Sequence, residues 1–307
     1  MNRYVTSLQE SVNDCGAPRS WSLLPFKCTL GALLVAAILA APASAEVIPV
    51  GTLTNYSIIS VGTGASITMN SGPVGGVVLL GAGTTSSSSG GNNGAIPGGV
   101  QVSPPVSGDN LTHLQNPVVV TMVPSTVGTT ALSDAIALSS FAAGLTATQT
   151  FGAINGTQVI TGNGDTNVIN IASLHNPTLT LSGGPNDVFI INVSGSFQTN
   201  HPVTLVGITP SQILWNFTGT GTVLQTSGGA VLPGTFLTTH GGQFNLDNVD
   251  VMGALINATG NITFVSGAHL EFLPFTPPEE IPEPGTLALL GAGLATVVGV
   301  RQRSLRK

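Results

Sequence analysis

PTLTLSGGPNDVFIINVSGSF, residues 177–197, sets two short apolar runs on either side of a Gly-Gly-Pro-Asn-Asp break. In the first run Leu179 and Leu181 alternate with Thr178 and Thr180, the period-two pattern of a strand with one buried face. The second run, Val188 to Val193, is almost wholly β-branched or aromatic, the composition of a strand. The break between them holds residues that close tight turns.

The same rhythm extends outward in both directions. TQVITG (157–162) and TNVINIA (166–172) precede this stretch. PVTLVG (202–207), SQILWNF (211–217), TVLQTSG (222–228), GTFLTT (234–239), GQFNL (242–246), VDVMGALIN (249–257) and NITFVSG (261–267) follow it. Short Val-, Ile-, Thr- and Phe-rich runs closed by Gly, Asn or Pro at roughly ten-residue spacing indicate an all-β fold. A sandwich, a barrel and a β-solenoid all fit this pattern. Many runs hold only two or three core-type residues, such as Val203 and Leu205, enough for one face of a coil but thin for a sandwich strand. Small polar residues between runs suit the corners of stacked coils. The expected fold is therefore mainly β, an irregular right-handed β-solenoid with one packed α-helix. That helix is read in TALSDAIALSSFAAGL over 132–145, with Ser133 as N-cap and Leu138, Phe141 and Leu145 on one face. GTTSSSSGGNNGAIPGG, residues 83–99, reads as a flexible loop.

Charge is distributed unusually. Only 7% of residues are charged, and the seven basic residues are Arg3, Arg19, Lys27, Arg301, Arg303, Arg306 and Lys307. Between Glu46 and Val300 there is no Lys or Arg to neutralise phosphate, which excludes nucleic acid as a partner. Both cysteines, Cys15 and Cys28, lie near the N-terminus. There Lys27 precedes an apolar stretch ending in Ala43-Ser44-Ala45, which reads as a signal peptide over 1–45 cleaved before Glu46.

At the other end, Pro282-Glu283-Pro284 is followed by an uncharged, mostly apolar run, 285–300, and by a basic tip with Arg301 and Arg303. A run of this length is marginal for a transmembrane helix, and the basic tip would keep it oriented with the body outside. This tail, residues 282–307 behind a Pro/Glu linker at 276–284, resembles the PEP-CTERM sorting signal. The resemblance implies an exosortase-type membrane peptidase as processing partner, transient inner-membrane anchoring, and delivery to the outer surface or exopolysaccharide matrix of a Gram-negative bacterium.

The body, 46–275, carries a second resemblance. GGPNDVFIINVSGSF (183–197), ILWNFTGTG (213–221), LPGTFLT (232–238) and MGALINATGNITFVSGAHLEFLPF (252–275) look like the choice-of-anchor A domain, an adhesive module, and more distantly like bacterial ice-binding β-solenoids. The implied function is a secreted structural or adhesive protein, with ice binding on the same scaffold as the alternative.

Catalytic motifs are missing: no G-x-S-x-G, H-E-x-x-H or G-x-G-x-x-G occurs. His113, His175, His201, His240 and His269 never stand at metal-ligand spacing. The protein is not expected to be an enzyme or to need a cofactor. Asn163, Asp165 and Asn167 alternate as weak calcium candidates, and Asp247, Asn248 and Asp250 form a second such group. Both groups are also ordinary turn sequences. Thr178 with Thr180, and Thr218, Thr220 and Thr222, could offer hydroxyl rows for ice. Trp215 is read as core rather than as a sugar platform.

Overall fold

The computed structural model describes residues 47–69, 72–81, 84–87, 96–104, 119–265 and 267–277. Val47–Glu280 forms one compact unit. Its strands pair in parallel throughout and wind as a three-faced β-solenoid. One turn takes about twenty residues, as from Gln149 to Ile169 or from Ile58 to Val78.

The first face is a ladder of ten strands. In stacking order they are β7 (Gln149–Ile154), β9 (Thr166–His175), β11 (Val188–Val193), β14 (Ile213–Phe217), β16 (Ala230–Thr238), β18 (Val249–Asn257), β1 (Ile58–Ser60), β3 (Val78–Leu80), β5 (Val100–Val102) and β6 (Val120–Met122). The order shows that the chain starts in the middle of its own stack. β1 lies on β18, with Ile58 opposite Leu255. One unbroken column runs Ile169, Ile191, Trp215, Phe236, Leu255, Ile58, Val78, Val100. These side chains point into the coil and form its core. Trp215 stacks on Phe236 at 5.8 Å and tilts against Phe197 at 5.2 Å, while Phe217 meets Phe244 edge-on at 5.9 Å. Such ring pairs contribute about 0.5–1.5 kcal/mol each beyond their buried area.

The second face continues from the ends of β7 and β9 through β12 (Phe197–Thr199), β15 (Gly221–Thr226), β17 (Gly242–Leu246), β19 (Asn261–Phe264), β2 (Ser66–Met69) and β4 (Thr85–Ser87). β4 falls inside the segment read as a flexible loop. Its neighbour β2 offers a free edge, and pairing there orders residues that local composition assigns to no element.

The third face is divided. β8 (Thr157–Thr161), β10 (Thr178–Ser182) and β13 (Thr204–Val206) form a separate three-stranded sheet. Below it lie the first halves of β16 and β18, then β20 (His269–Phe272), with Val74 bridging to Leu270. β16 and β18 each turn from the third face onto the first without interruption. The turn depends on facing glycines, Gly234 and Gly253, since a methyl group on Gly253 would run into the Gly234 carbonyl oxygen.

A single α-helix among the described residues, α1 (Ser125–Gly144), follows β6 at one end of the stack and delivers the chain to β7 at the other. At 20 residues it is about 30 Å long. It begins at Pro124 rather than at Ser133, which lies exposed inside it. The start is fixed from outside the helix: Ser103 Oγ accepts a hydrogen bond from Gly128 N at 3.0 Å and is 3.1 Å from the Pro124 and Ser125 carbonyls. Gly128, Ala131, Ala135, Leu138 and Ala142 form the buried stripe, packed over Ile59, Leu79, Ile190, Leu214, Leu237 and Ile256. Phe141 and Leu145 flank this stripe half-buried. Toward the C-terminal end of α1 the strand positions beneath it become Asn170, Asn192 and Asn216. Asn216 Nδ2 donates to Asn192 Oδ1 at 2.8 Å, and Asn192 Nδ2 donates to the Ala142 carbonyl at 2.8 Å.

The chain leaves β20 as a strap that climbs back along the corner between the third and first faces. Leu273 N bonds Gly253 O, Phe275 N bonds Thr235 Oγ1 and Thr276 N bonds Ser211 O. Phe275 is buried in the cluster under the helix. Thr276, expected to open the linker, is thus still tied to the body. The expected leader, the Pro-Glu-Pro motif and the 285–300 span lie outside the described residues. Among the described residues no helix is long and apolar enough to cross a membrane.

Candidate functional site

The calcium candidates Asn163, Asp165 and Asn167 do come together, but as a turn. Asn163 Oδ1 accepts from Asp165 N, Asp165 Oδ1 from Thr166 N and Asn167 Oδ1 from Asn163 N. The Asn167 amide group donates to Asp187 Oδ1 at 2.8 Å and to the Asp165 and Val188 carbonyls. An N–H group therefore occupies the place where a cation would have to sit, so the donor set does not fit calcium.

That turn is organised around Asp187, which is 3% exposed. Gly164 N and Gly184 N each donate to its carboxylate at 2.7 Å, and methyl groups on Gly162 or Gly183 would collide with it. Burial pushes the Asp187 carboxyl up, but donors from Gly184, Asn167, Gly164 and Asp165 outweigh burial and hold its pKa below the ordinary aspartate value. Gln212 continues the corner on the next coil, its amide donating to the Gly184, Pro185 and Asp187 carbonyls. The site is a structural corner in which the charge is consumed internally.

The second acidic group does not converge either. Asn248 adopts a left-handed turn conformation with φ 44°, and Asp250 pairs instead with His269 at 3.2 Å on the surface. His175, His201 and His240 lie on other parts of the coil, and His113 is outside the described residues. Among the described residues no three His, Cys, Asp or Glu side chains approach one another closely enough to hold a metal. Trp215 is fully buried, with Nε1 donating to the Pro233 carbonyl at 2.9 Å, so it cannot stack on a ligand.

What remains is surface. The middle of the first face, from β11 to β3, lies under α1, while β6 at its lower end is exposed. The upper third face presents Thr157, Val159 and Thr161 on β8, Thr178, Thr180 and Ser182 on β10, and Thr204 and Val206 on β13. Thr180 stands beside Val159 and Thr204, in register. Thr178 and Thr180 thus do share an outward side, whereas Thr218 and Thr220 precede β15 and only Thr222 lies in a strand. The lower third face is charged, with Asp250, His269 and Glu271 exposed.

The second face presents two outward columns. One runs His175, Gln198, Gln225, Asn245, Thr263, Thr68 and the other Thr222, Gln243, Asn261, Ser66. Apart from His175 at its upper edge, every group is an uncharged amide or hydroxyl. Motif searching misses these columns because successive members of each lie about one coil apart in sequence. The available signal is a repeated inward-outward-inward triplet, Phe197-Gln198-Thr199, Leu224-Gln225-Thr226, Phe244-Asn245-Leu246, visible only once the coil length is known.

A family model described as "Putative Ice-binding-like adhesive domain" matches residues 48–256. The chain belongs to that family. A model of the PEP-CTERM protein-sorting motif matches residues 280–304, and with it the chain carries the mark of an exported, exosortase-sorted protein. No curated protein matches the chain. Solved ice-binding proteins are similar in structure to this chain, and one of them shares its fold. The antifreeze ice-binding protein LeIBP from an Arctic yeast aligns with a TM-score of 0.51 at 16% identity, over 78% of this chain and 100% of its own. An ice-binding protein from an Antarctic biological consortium aligns at 0.49 and 16% identity, over 74% and 92%. An ice-binding protein of Shewanella frigidimarina aligns at 0.44 and 14% identity, over 73% and 97%. The matched domain is thus a β-solenoid with one helix laid along it, and among the described residues no helix covers its second and third faces.

Proposed function

We propose that the protein is a structural or adhesive component of the outer cell surface or extracellular matrix of a Gram-negative bacterium, a binder and not an enzyme. The observation that carries this reading is the joining of an adhesive-family body to a sorting motif on one chain. In this reading residues 1–45 direct export, with cleavage after Ala43-Ser44-Ala45. The run 285–300 halts briefly in the inner membrane, and an exosortase recognises Pro282, Glu283 and Pro284, with Arg301 and Arg303 holding orientation. The uncharged faces then associate with exopolysaccharide or another surface polymer. Tracking the tagged protein in cells with and without the peptidase tests this: the reading expects surface exposure that depends on the peptidase and on residues 282–307. A protein that stays periplasmic with the peptidase intact would sink it.

Ice binding is the second reading, favoured by the upper third face. There Thr157, Thr161, Thr178, Thr180 and Thr204 alternate with the half-exposed Val159 and Val206, giving hydroxyl and methyl groups in register on a charge-free sheet. Thermal hysteresis and recrystallisation assays separate the readings. Ice activity lost in Thr180→Glu would support the second, and absence of both effects in the folded protein would remove it.

A further inference from the structure

Two sets of side-chain amides lie on this solenoid, and their chemistry differs. Asn192 and Asn216, beneath α1, spend their amides on one another and on helix carbonyls. Gln198, Gln225, Gln243 and Asn245, on the second face, have no side-chain hydrogen-bond partner among the described residues. Three of these four are half-buried, so neighbours on the coils above and below restrict their rotamers without satisfying them. Together with Thr222, Thr263, Ser66 and Asn261 they form parallel rows that repeat once per coil, at about 4.8 Å, and the column from His175 to Thr68 spans about 24 Å.

We propose that the second face binds an extended, uncharged polysaccharide chain lying along the solenoid axis. This rests on the surface-adhesion reading above and names its ligand class and site. A primary amide donates and accepts, and so does a sugar hydroxyl, so each of these four amides can exchange both kinds of hydrogen bond with a neutral glycan, while Ser66 and Asn261 at the lower end bond each other at 2.7 Å. A charged polymer would lose hydration here and meet no counter-charge in return. A peptide strand finds no free backbone ladder, because the backbone groups of this face pair along the stack. Among the described residues the face offers no outward Phe, Tyr or Trp ring for stacking, so individual contacts are weak and binding comes from many rungs engaging one chain. Preordered amides reduce the conformational cost of that engagement.

The test is co-sedimentation of the full chain, held in non-ionic detergent, with insoluble neutral glucans (cellulose and curdlan) and with anionic alginate gel. Retention is expected on at least one neutral glucan, unchanged in high salt, and not on alginate. A short soluble fragment of the retained glucan should compete weakly. Replacing Gln225→Glu with Gln243→Glu should weaken retention about tenfold or more, because two unions are lost and two charges must be desolvated. Thr157→Glu with Thr180→Glu, on the other uncovered face, should leave retention unchanged. Circular dichroism melts confirm that both variants are folded. Retention insensitive to the glutamine pair, equally sensitive to the threonine pair, or absent on both glucans overturns the proposal. A protein exposed on cells but unable to retain glucan removes this inference and leaves the surface reading standing. One that retains glucan but never reaches the surface does the reverse.

Discussion

At the scale of single residues, Asp187 shows how a chain with few charges uses one. Its two oxygens collect backbone and amide donors from two successive corners. In Asp187→Asn one oxygen becomes an N–H group aimed at other N–H groups, so the expected loss is about 1–3 kcal/mol of stability, read from denaturant unfolding. The pH dependence follows from the depressed folded pKa. The contribution is complete above the unfolded aspartate value, about 3.9, and is lost as pH falls through the lower folded value. Wild type should therefore lose stability through this group only in strong acid, and Asp187→Asn should lack that part of the acid transition. The sequence displayed the Asn163–Asn167 turn plainly, but the neighbour that organises it stands some twenty residues downstream. Local spacing suggested a cation site because oxygen-rich turns and calcium loops draw on the same residue types.

Among the elements, the strands were legible because β-branched runs closed by Gly or Asn carry their own signal. The helix start was not. SerThrValGlyThrThr, residues 125–130, has poor helix propensity, yet Gly128 is needed where α1 passes close to Ser103. Packing overrides local preference there, as tertiary contact commonly does. Two substitutions separate the two possible starts: Ser133→Ala should change stability by less than about 0.5 kcal/mol, whereas Ser103→Ala, which strips the cap, should cost about 1–2 kcal/mol. Comparable losses in thermal melts would place the cap at Ser133 after all. Ala135 sits fully buried against the first face, so Ala135→Leu should destabilise by about 1–3 kcal/mol through overpacking. The exposed Ala143→Leu serves as the neutral comparison.

For the whole molecule, charge placement gives a simple test. With no Lys or Arg between Glu46 and Val300, trypsin should trim only the ends, even after full denaturation. Mass spectrometry of the digest should show one large fragment, and any internal tryptic peptide would contradict the sequence as read. The coil architecture was legible from the rhythm of runs, and the proposed binding face was not. Rows such as Gln198, Gln225 and Asn245 exist only across strands, so they appear once stacking order is known. That order was itself hidden, since nothing in the sequence near Ile58 announces Leu255 as its neighbour.

The junction of β1 with β18 has a consequence for how such a chain reaches its destination. The turns made first wait for a platform that is made almost last, roughly two hundred positions later. Contacts of this reach form slowly, so on the proposed export route the leading turns of a chain threading a secretion pore have no platform to stack on through most of its passage. Closure of the stack becomes possible only when nearly the whole length has emerged. The delay suits a protein that must cross one barrier unfolded and then endure outside it.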